Sequence, residues 1–567
     1  MGRGCTRIEE RVAATVGCLE EAPVKFNTSI DVVNGGVLFA LPALLVNGLL
    51  KRTPEHFSLP KGFYGLLSLF LLLGYMAMAR IRSIEKLRYE YPGELGRLLG
   101  LDRIPEVRTL RSKLEVLSQQ GTSAKWSAAL SKEWMESDPE LAGILYVDGH
   151  TRTYHGTLTK LPRRFVSRDR LCLRGMTDYW VNDAIGQPFF VITTVFTDGL
   201  LSMLREQIVP RLRADVPNQP TEEQLQSDPY MSRFALVFDR EGYSPQFFKD
   251  MWEARIACYT YNKSVKDNWA SEEFSEHTVC FPDGQSVMMQ IAERGVFVGG
   301  KLWIREIRKL TESGHQTSLL TTDFKAETGK AAAALFSRWS QENFFKYMKE
   351  QFGIDRLMEH GTTELPDTAE VINPQYRQIE SQIKSKAALL YRKRAQFGTI
   401  MMDVVPKEDK ILQRYELKKA LVQEEMTCLN DDLCALKETR KGILKRIPMG
   451  QLKPEERFSK LVDDKKQIMD TVKMIAYRAE TSMAEIIKPM MSRKDDARSL
   501  LQKVFAAEAD ILPDEKEKTL TVALHNLTND SSDKVIHELC KVLNESGTIY
   551  PGTNLKLIYK LVSDDFL

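Results

Sequence analysis

The segment 331–351, AAAALFSRWSQENFFKYMKEQ, limits the possible folds of this chain more than any other. Good helix formers dominate it and neither Pro nor Gly interrupts it, so we predict one continuous helix. Arg338, Glu342 and Lys349 follow at offsets of four and seven residues, which places their side chains on one helical face. For an isolated helix, such a face is an ordinary solvated stripe of charges. The function of this charged face therefore depends on which side chains from other segments lie beside it.

Two aspartates elsewhere follow short apolar runs. Asp148 follows the run in GILYVDGH, and Asp239 follows the run in RFALVFDREGYS. We predict that each run is a buried strand ending at its aspartate, at the sheet edge where open α/β sheets bind ligands. Asp198 is a lower-ranked alternative, because Gly199 after it indicates an ordinary turn before a helix. Two aspartates and a helical glutamate supply the oxygen ligands that Mg²⁺ ions prefer.

These motifs together resemble those of the DDE transposases of prokaryotic insertion sequences, in particular the group with a Tyr-Arg-Glu-Lys signature. Arg338, Glu342 and Lys349 reproduce the last three signature residues at the family spacing, and YVDGH and FDREGYS resemble its two aspartate motifs. Leu335 occupies the position of the signature tyrosine, which departs from the family pattern. The resemblance implies cut-and-paste DNA transposition by an RNase H-like catalytic core.

The resemblance also implies roles for individual residues. Asp148, Asp239 and Glu342 would be the catalytic residues and would bind two Mg²⁺ ions, for which Mn²⁺ would substitute. Arg338 and Lys349 would bind DNA phosphates near the scissile bond. The partners would be double-stranded DNA, as inverted-repeat ends and target, and a second copy of the chain in a homodimer. A domesticated or inactive transposase-derived DNA-binding protein is an alternative with the same fold.

Further DNA contacts are expected outside the signature helix. Arg240, beside Asp239, is a weaker candidate for a phosphate contact. In related transposases a β-rich insertion carries an aromatic residue that stacks on a base flipped out of the DNA. Trp269 is the best-placed candidate here, although a core position is the more common one for tryptophan.

A possible helix-turn-helix occupies residues 93–117, where two short helices that share an apolar seam flank Gly100. Arg108 and Arg111 would lie on the outer face of its second helix and contact DNA. A plain helical hairpin explains the same pattern. With a net charge of only +2 over 567 residues, any DNA affinity must come from such local groups of basic residues.

Two apolar runs, 32–50 and 62–79, leave a membrane protein with an amino-terminal hairpin as a second alternative. Pro42 and the asparagines of the first run favour buried helices instead. Eight cysteines without a CxxC pair argue against zinc and against a secreted disulfide framework. The expected setting is a reducing prokaryotic cytoplasm, with nucleoid association on DNA.

Beyond Lys349 the chain becomes helical and charged. A basic run could follow a DNA backbone or simply face water; it comprises Arg377, Lys384, Lys386, Arg392, Lys393 and Arg394. Heptad-spaced residues then predict a coiled-coil seam, alone or against another helix of the chain: Tyr415, Val422, Leu429, Leu436 and Ile443. A coiled-coil scaffold is a third alternative function.

The predicted fold class is mixed, α+β or α/β, around an RNase H-like core. We expect a helical amino-terminal domain (1–138), the first part of the core (139–260), a β-rich insertion (261–325), the second part of the core (326–400), and a helical carboxyl-terminal region with a coiled coil and a small closing module (401–567).

Overall fold

The structure, a computed structural model, describes residues 5–156, 161–166, 171–193, 199–263, 265, 267–282, 284–300, 302–356, 362–402, 409–461, 463–527 and 529–563. The alternative ligand Asp198 lies outside these residues. The described chain is a mixed α+β protein, as the sequence predicts.

The amino-terminal part is mainly helical. Its elements are α1 (Ile8–Thr15), β1 (Ser29–Val32), α2 (Leu41–Val46), α3 (Thr53–His56), α4 (Leu66–Met78), α5 (Pro92–Leu98), α6 (Val107–Gln119) and α7 (Ser123–Ser137). The two apolar runs fold into short buried elements: a 3₁₀ turn (Gly35–Ala40) with α2, and the 13-residue α4. Across the described residues, no helix has both the length and the apolar character needed to span a bilayer.

A mixed sheet of ten strands, counted over the described residues, forms the centre. The strands are β2 (Ile144–Thr153), β3 (Arg163–Val166), β4 (Leu171–Asn182), β5 (Pro188–Thr193), β6 (Ala235–Phe238), β7 (Ala257–Tyr261), β8 (Ser275–Cys280), β9 (Ser286–Val298), β10 (Leu302–Leu310) and β11 (Gln316–Thr321). Strands β2, β6 and β7 are parallel neighbours, and β4 and β5 continue the sheet antiparallel beyond β2.

Residues 261–325 do not form a separate sheet, because β11 pairs with β7 and extends the central sheet through β10, β9 and β8. The helices around the sheet are α8 (Leu200–Met203), α9 (Val209–Asp215), α10 (Glu222–Ser227), α11 (Pro245–Glu253), α12 (Thr328–Phe336) and α13 (Trp339–Tyr347). A buried aromatic and aliphatic layer packs α11 on one sheet face, and the alanine-rich α12 covers the other.

Two long helices then form a hairpin that we call the helical arm. They are α14 (Pro374–Met402) and α15 (Asp409–Lys441), preceded by β12 (Thr362–Glu364) and β13 (Glu370–Ile372) and followed by β14 (Arg446–Pro448) and β15 (Ser459–Leu461). Ion pairs from Lys386 to Asp432 and from Lys393 to Glu425 show that the helices run antiparallel. The arm has an apolar seam of its own, which includes Leu390 and Leu433.

The carboxyl-terminal part returns to the amino-terminal helices. It contains α16 (Asp464–Ile487), α17 (Ala497–Ala506), β16 (Ala509–Asp514), β17 (Thr519–Leu524), α18 (Asp530–Glu545) and β18 (Lys556–Leu561). Helix α16 is buried almost all round between α2, α4, α6, α7 and β5, and β1 pairs with β16. Both ends of the chain bury their apolar faces in one cluster. The domain boundaries expected at residues 138 and 401 stay predictions.

Candidate active site

Asp148 and Asp239 lie side by side at the centre of the sheet. The last parallel pair of β2 and β6 is Val147 with Phe238, and each aspartate is the next residue on its strand. Contrary to the prediction, β2 does not end at Asp148 but continues to Thr153, because β4 pairs with it beyond that point. Only the pairing with β6 ends there. The two carboxyl groups thus project where neighbouring parallel strands separate.

The predicted single helix 331–351 is interrupted. Helix α12 ends at Phe336, Ser337 and Arg338 form a turn, and α13 begins at Trp339 and leads into a π-helical turn, Met348–Phe352. The turn carries the Arg338 guanidinium to both aspartates, 2.9 Å from Asp239 Oδ1 and 3.5 Å from Asp148 Oδ2. Local helix propensity is overridden here by tertiary contacts. Arg338 is therefore an ion-pair bridge rather than a member of a continuous charged stripe.

Aromatic packing fixes α13 on the sheet. The ring of Phe344 meets Trp180 edge-on at 5.4 Å, and the ring of Phe345 stacks on His150 at 5.5 Å. The β4–β5 turn supports the other side, since Gln341 Nε2 donates to the Asp183 carbonyl. These contacts determine where the first turn of α13 lies relative to β2.

Glu342 lies in that first turn and is exposed. The Glu342 carboxylate lies near Tyr261, the last residue of β7. Burial raises the pKa of the Tyr261 hydroxyl, Arg338 lowers it, and the negative charges of Glu342 and Asp239 raise it further. The Arg338 guanidinium lies 6.0 Å from the centre of the Tyr261 ring. Tyr261 therefore lies near Arg338, Glu342 and Asp239, and its place at the end of the apolar run ACYTY could have indicated this position.

The electrostatics of the site are unbalanced. Burial raises the pKa of Asp148, against the opposing effect of Arg338. The pKa of Arg338 is raised: burial would lower it, but the charges of Asp148 and Asp239 outweigh that effect. The Asp148 side chain is 20% exposed and that of Asp239 is 43% exposed, so the pocket opens toward solvent on the Asp239 side. The bridging Arg338 faces two carboxylates, and Glu342 and Arg240 lie near them around Tyr261, so three acids meet two cations.

The three carboxylates are not drawn tightly together. In the described part of the chain, one trio of possible metal ligands has its ligand atoms within 4.8 Å of one another: Asp31, Asp510 and His525. That trio joins β1 to the carboxyl-terminal sheet and is far along the chain from the signature residues. In the candidate site, the Arg338 guanidinium lies between Asp148 and Asp239. The two carboxylates would have to move closer together to share one metal ion.

Other predicted DNA-contacting residues fall in different surroundings. Arg240 is exposed, donates its backbone N–H to Asp239 Oδ1 at 2.6 Å and holds its guanidinium 5.6 Å from the Tyr261 ring. Lys349 is half-buried in the π-helical turn after α13. On α6, Arg108 is exposed and Arg111 forms an exposed ion pair with Glu85. Their roles on DNA stay predictions.

Trp269 does not fit its predicted role in this structure. Its side chain is buried in a small cluster with Phe274 and Ala292. The guanidinium groups of Arg294 and Arg308 lie 4.6 and 4.2 Å from the ring centre. The ring enclosed in this way occupies a core position in this structure. Stacking on a DNA base would require this cluster to open, and that role stays a prediction.

The family model Transposase_29, described as a transposase protein, matches residues 2–563. The chain belongs to this transposase family. The prediction of a DNA transposase is therefore confirmed at the level of the family. The family model covers almost the entire sequence.

Two further comparisons add little. A search of curated proteins finds no match. A cryo-EM structure of a piggyBac transposase synaptic complex with hairpin DNA is similar over 91% of this chain and 88% of that chain, with 11% identity and a TM-score of 0.29. A likeness at that TM-score carries no argument about this site.

Proposed function

We propose that the chain is a DDE-type transposase in which Asp148, Asp239 and Glu342 bind divalent metal ions and direct cleavage and strand transfer at the ends of a mobile element. The observation that carries the proposal is the bridge from Arg338 to both aspartates at the point where β2 and β6 separate. Arg338 bridges two aspartates, and Arg240 and Glu342 both act on the neighbouring Tyr261, so three acidic groups accompany two guanidinium groups. Cations bind where such a surplus of negative charge remains.

The proposed core is RNase H-like. In its support, the strand order β5, β4, β2, β6, β7 combines two antiparallel pairings on one side of β2 with parallel pairings on the other. Helix α13 packs across this sheet through Phe344 and Phe345. The antiparallel seam between α14 and α15 supports the predicted coiled coil, with the partner helix in the same chain.

The donor chemistry fits Mg²⁺ or Mn²⁺, because all three candidate ligands are carboxylates on different elements. When bound, two such ions would activate a water or a DNA 3′-hydroxyl for in-line attack and stabilise the leaving oxygen. Asp148 and Asp239 would hold the ions at the sheet, and Glu342 would approach from α13. Arg338 would exchange its aspartate partners for phosphate oxygens, with Lys349 and Arg240 supporting the flanking backbone.

Two finer proposals follow. Because a mobile element has two ends, synapsis calls for a homodimer on DNA. Membership of the insertion-sequence group with the Tyr-Arg-Glu-Lys signature rests on the spacing of Arg338, Glu342 and Lys349, and Leu335 departs from it. Short inverted repeats flanking the reading frame would support that assignment, and their absence would contradict it.

The test is nicking of labelled DNA that carries the flanking sequence, in Mg²⁺, in Mn²⁺ and in EDTA. We expect nicking by the wild type that EDTA abolishes, and a loss of about a hundred-fold or more in Glu342→Gln. Glu350→Gln is the matched control, since Glu350 is an exposed glutamate in the turn that follows α13. Equal nicking by both variants contradicts the role of Glu342, and DNA binding without nicking by the wild type favours the inactive DNA-binding alternative.

A further inference from the structure

The helical arm divides its charges unevenly between its two helices. Helix α14 carries six basic residues and one acidic residue, Glu380, whereas α15 carries seven of each. Helix α15 therefore balances its own charge. Helix α14 has an excess of five positive charges, whereas the whole chain has a net charge of only +2.

The structure sorts the basic residues of α14 into two groups. Lys386 and Lys393 point toward α15, where they pair with Asp432 and Glu425. Glu380 likewise pairs with Arg440 of α15. The seam thus uses the acid of α14 and two of its lysines, and these groups serve the packing of the arm.

The other four basic residues, Arg377, Lys384, Arg392 and Arg394, are exposed. Arg394 lies about 100° from Arg377, on the side away from Arg392. Arg377, Lys384 and Tyr391 are spaced by seven residues, which keeps them on one helical face, and all three are exposed. Arg392 lies about 60° from Arg377 and about 100° from Tyr391 at 100° per residue, and it is also exposed. The seam residue Leu390 is buried on the opposite side. We call Arg377, Lys384, Tyr391 and Arg392 the outer face of α14.

We propose that the outer face of α14 binds the phosphate backbone of double-stranded DNA. It has three cations, and the one acid near it, Glu380, has its carboxylate paired with Arg440 of α15. The exposed Tyr391, 76% accessible, adds a hydroxyl donor. From Arg377 to Arg392 the helix rises about 22 Å, which matches roughly six base pairs of duplex. Charge complementarity with a regularly spaced polyanion argues for DNA over an apolar partner.

The proposal rests on the proposed function only in taking DNA as the partner, and it adds a contact that the candidate active site does not make. Backbone contacts position a protein without reading sequence. The arm would therefore contribute equally to binding of element ends and of unrelated DNA.

The experiment compares two triple variants of the full chain, Arg377→Gln/Lys384→Gln/Arg392→Gln on α14 and Lys410→Gln/Arg414→Gln/Lys418→Gln on α15. Both remove three exposed cations from the same arm. Affinity for a random-sequence duplex is measured by fluorescence anisotropy between about 50 and 300 mM salt. Thermal melting followed by circular dichroism checks that both variants keep the fold.

We expect the α14 variant to reduce the slope of log affinity against log salt by about 2 to 3, since each phosphate contact contributes about 0.9. The α15 variant should change the slope by less than about 1. A charge-preserving Arg377→Lys/Arg392→Lys variant should keep the wild-type slope, which also covers the case in which the α14 variant misfolds.

Equal slopes for the two Gln variants overturn the proposal. So does an α14 variant that keeps its DNA affinity but loses a self-association seen by light scattering, because the outer face would then be an interface between copies. If the wild type fails to nick DNA while the slope difference persists, the proposed function fails and the arm contact stands. If the wild type nicks DNA and the α14 variant keeps the wild-type slope, the proposed function stands and the arm contact fails.

Discussion

Strand β2 contributes to two clusters of opposite charges that differ in burial and balance. Four residues beyond Asp148, Arg152 makes two hydrogen bonds to Asp178, and Lys466 pairs with Asp178 and Asp470. These four side chains are between 1 and 6% exposed. Two cations face two carboxylates, and Thr193 adds a hydrogen bond to Asp178 at 2.8 Å.

The comparison separates a structural ion cluster from a candidate binding site. In the buried cluster, burial would raise the pKa of Asp178, but Arg152 and Lys466 outweigh that effect and hold it below its ordinary value. In the candidate site, Arg338 and Arg240 accompany three acids, Asp148, Asp239 and Glu342, and burial raises the pKa of Asp148. A balanced buried cluster stabilises the fold, whereas an unbalanced open one is suited to a cationic ligand.

The largest expected effect is on stability. Asp178→Asn leaves the buried Arg152 and Lys466 without their shared carboxylate, so we expect it to lower the free energy of unfolding by about 3 to 5 kcal/mol. Asp239→Asn, at the open site, should change it by less than about 1 kcal/mol while abolishing nicking. Urea unfolding measures both. Comparable losses in the two variants would remove the distinction between the clusters.

Asp183 offers an intermediate case, a buried acid in the β4–β5 turn that supports α13. Burial raises its pKa to about 7, against backbone hydrogen bonds from Gln187 and Ile185 and the charge of Arg478. A raised folded pKa gives stability that is fully present below about pH 4 and is lost as the pH rises through about 7. Asp183→Asn can keep both hydrogen bonds, because both end on Oδ1.

The stability of Asp183→Asn relative to wild type should therefore rise between pH 5 and pH 8, by on the order of 3 kcal/mol. Urea unfolding at several pH values tests this. A stability difference independent of pH would mean that Asp183 keeps its charge in the folded chain across that range.

A smaller effect is expected from metal binding. Mn²⁺ that binds the folded chain at Asp148 and Asp239 should raise the free energy of unfolding by about 2.7 kcal/mol at a hundred times its Kd. Differential scanning fluorimetry with and without Mn²⁺ shows the shift. Asp148→Asn should lose it and Asp178→Asn should retain it. The same Mn²⁺ shift in Asp148→Asn would direct attention to another ligand group.

The smallest effect is predicted for an exposed pair. Arg111→Gln removes the ion pair between Arg111, 56% exposed, and Glu85, 44% exposed. It should change the free energy of unfolding by less than about 0.5 kcal/mol. If α6 also enters DNA as predicted, the same variant weakens DNA binding without changing melting. If Arg111→Gln lost as much stability as Asp178→Asn, exposed and buried ion pairs would contribute equally to the fold. The contrast between the buried cluster and the open site would then not follow from exposure.

Sequence patterns predicted several elements of the site well. The apolar runs before Asp148 and Asp239 form β2 and β6, and four of the five heptad-spaced residues lie on α15. These features depend on local periodicity, which a single sequence displays directly. The interruption at Ser337 and Arg338 was missed, because the ion pairs that favour it come from strands 190 and 99 residues earlier.

What the sequence alone determined is the chemical inventory: two aspartates placed after apolar strands, a glutamate and an arginine at helical spacing, and a basic run after them. The tertiary structure decided which of these groups meet. It placed Arg338 between the two aspartates, enclosed Trp269 between arginines, and turned Lys386 and Lys393 inward while leaving the outer face of α14 in water. The reason is that burial and pairing depend on partners far away along the chain, and residue spacing carries no information about them.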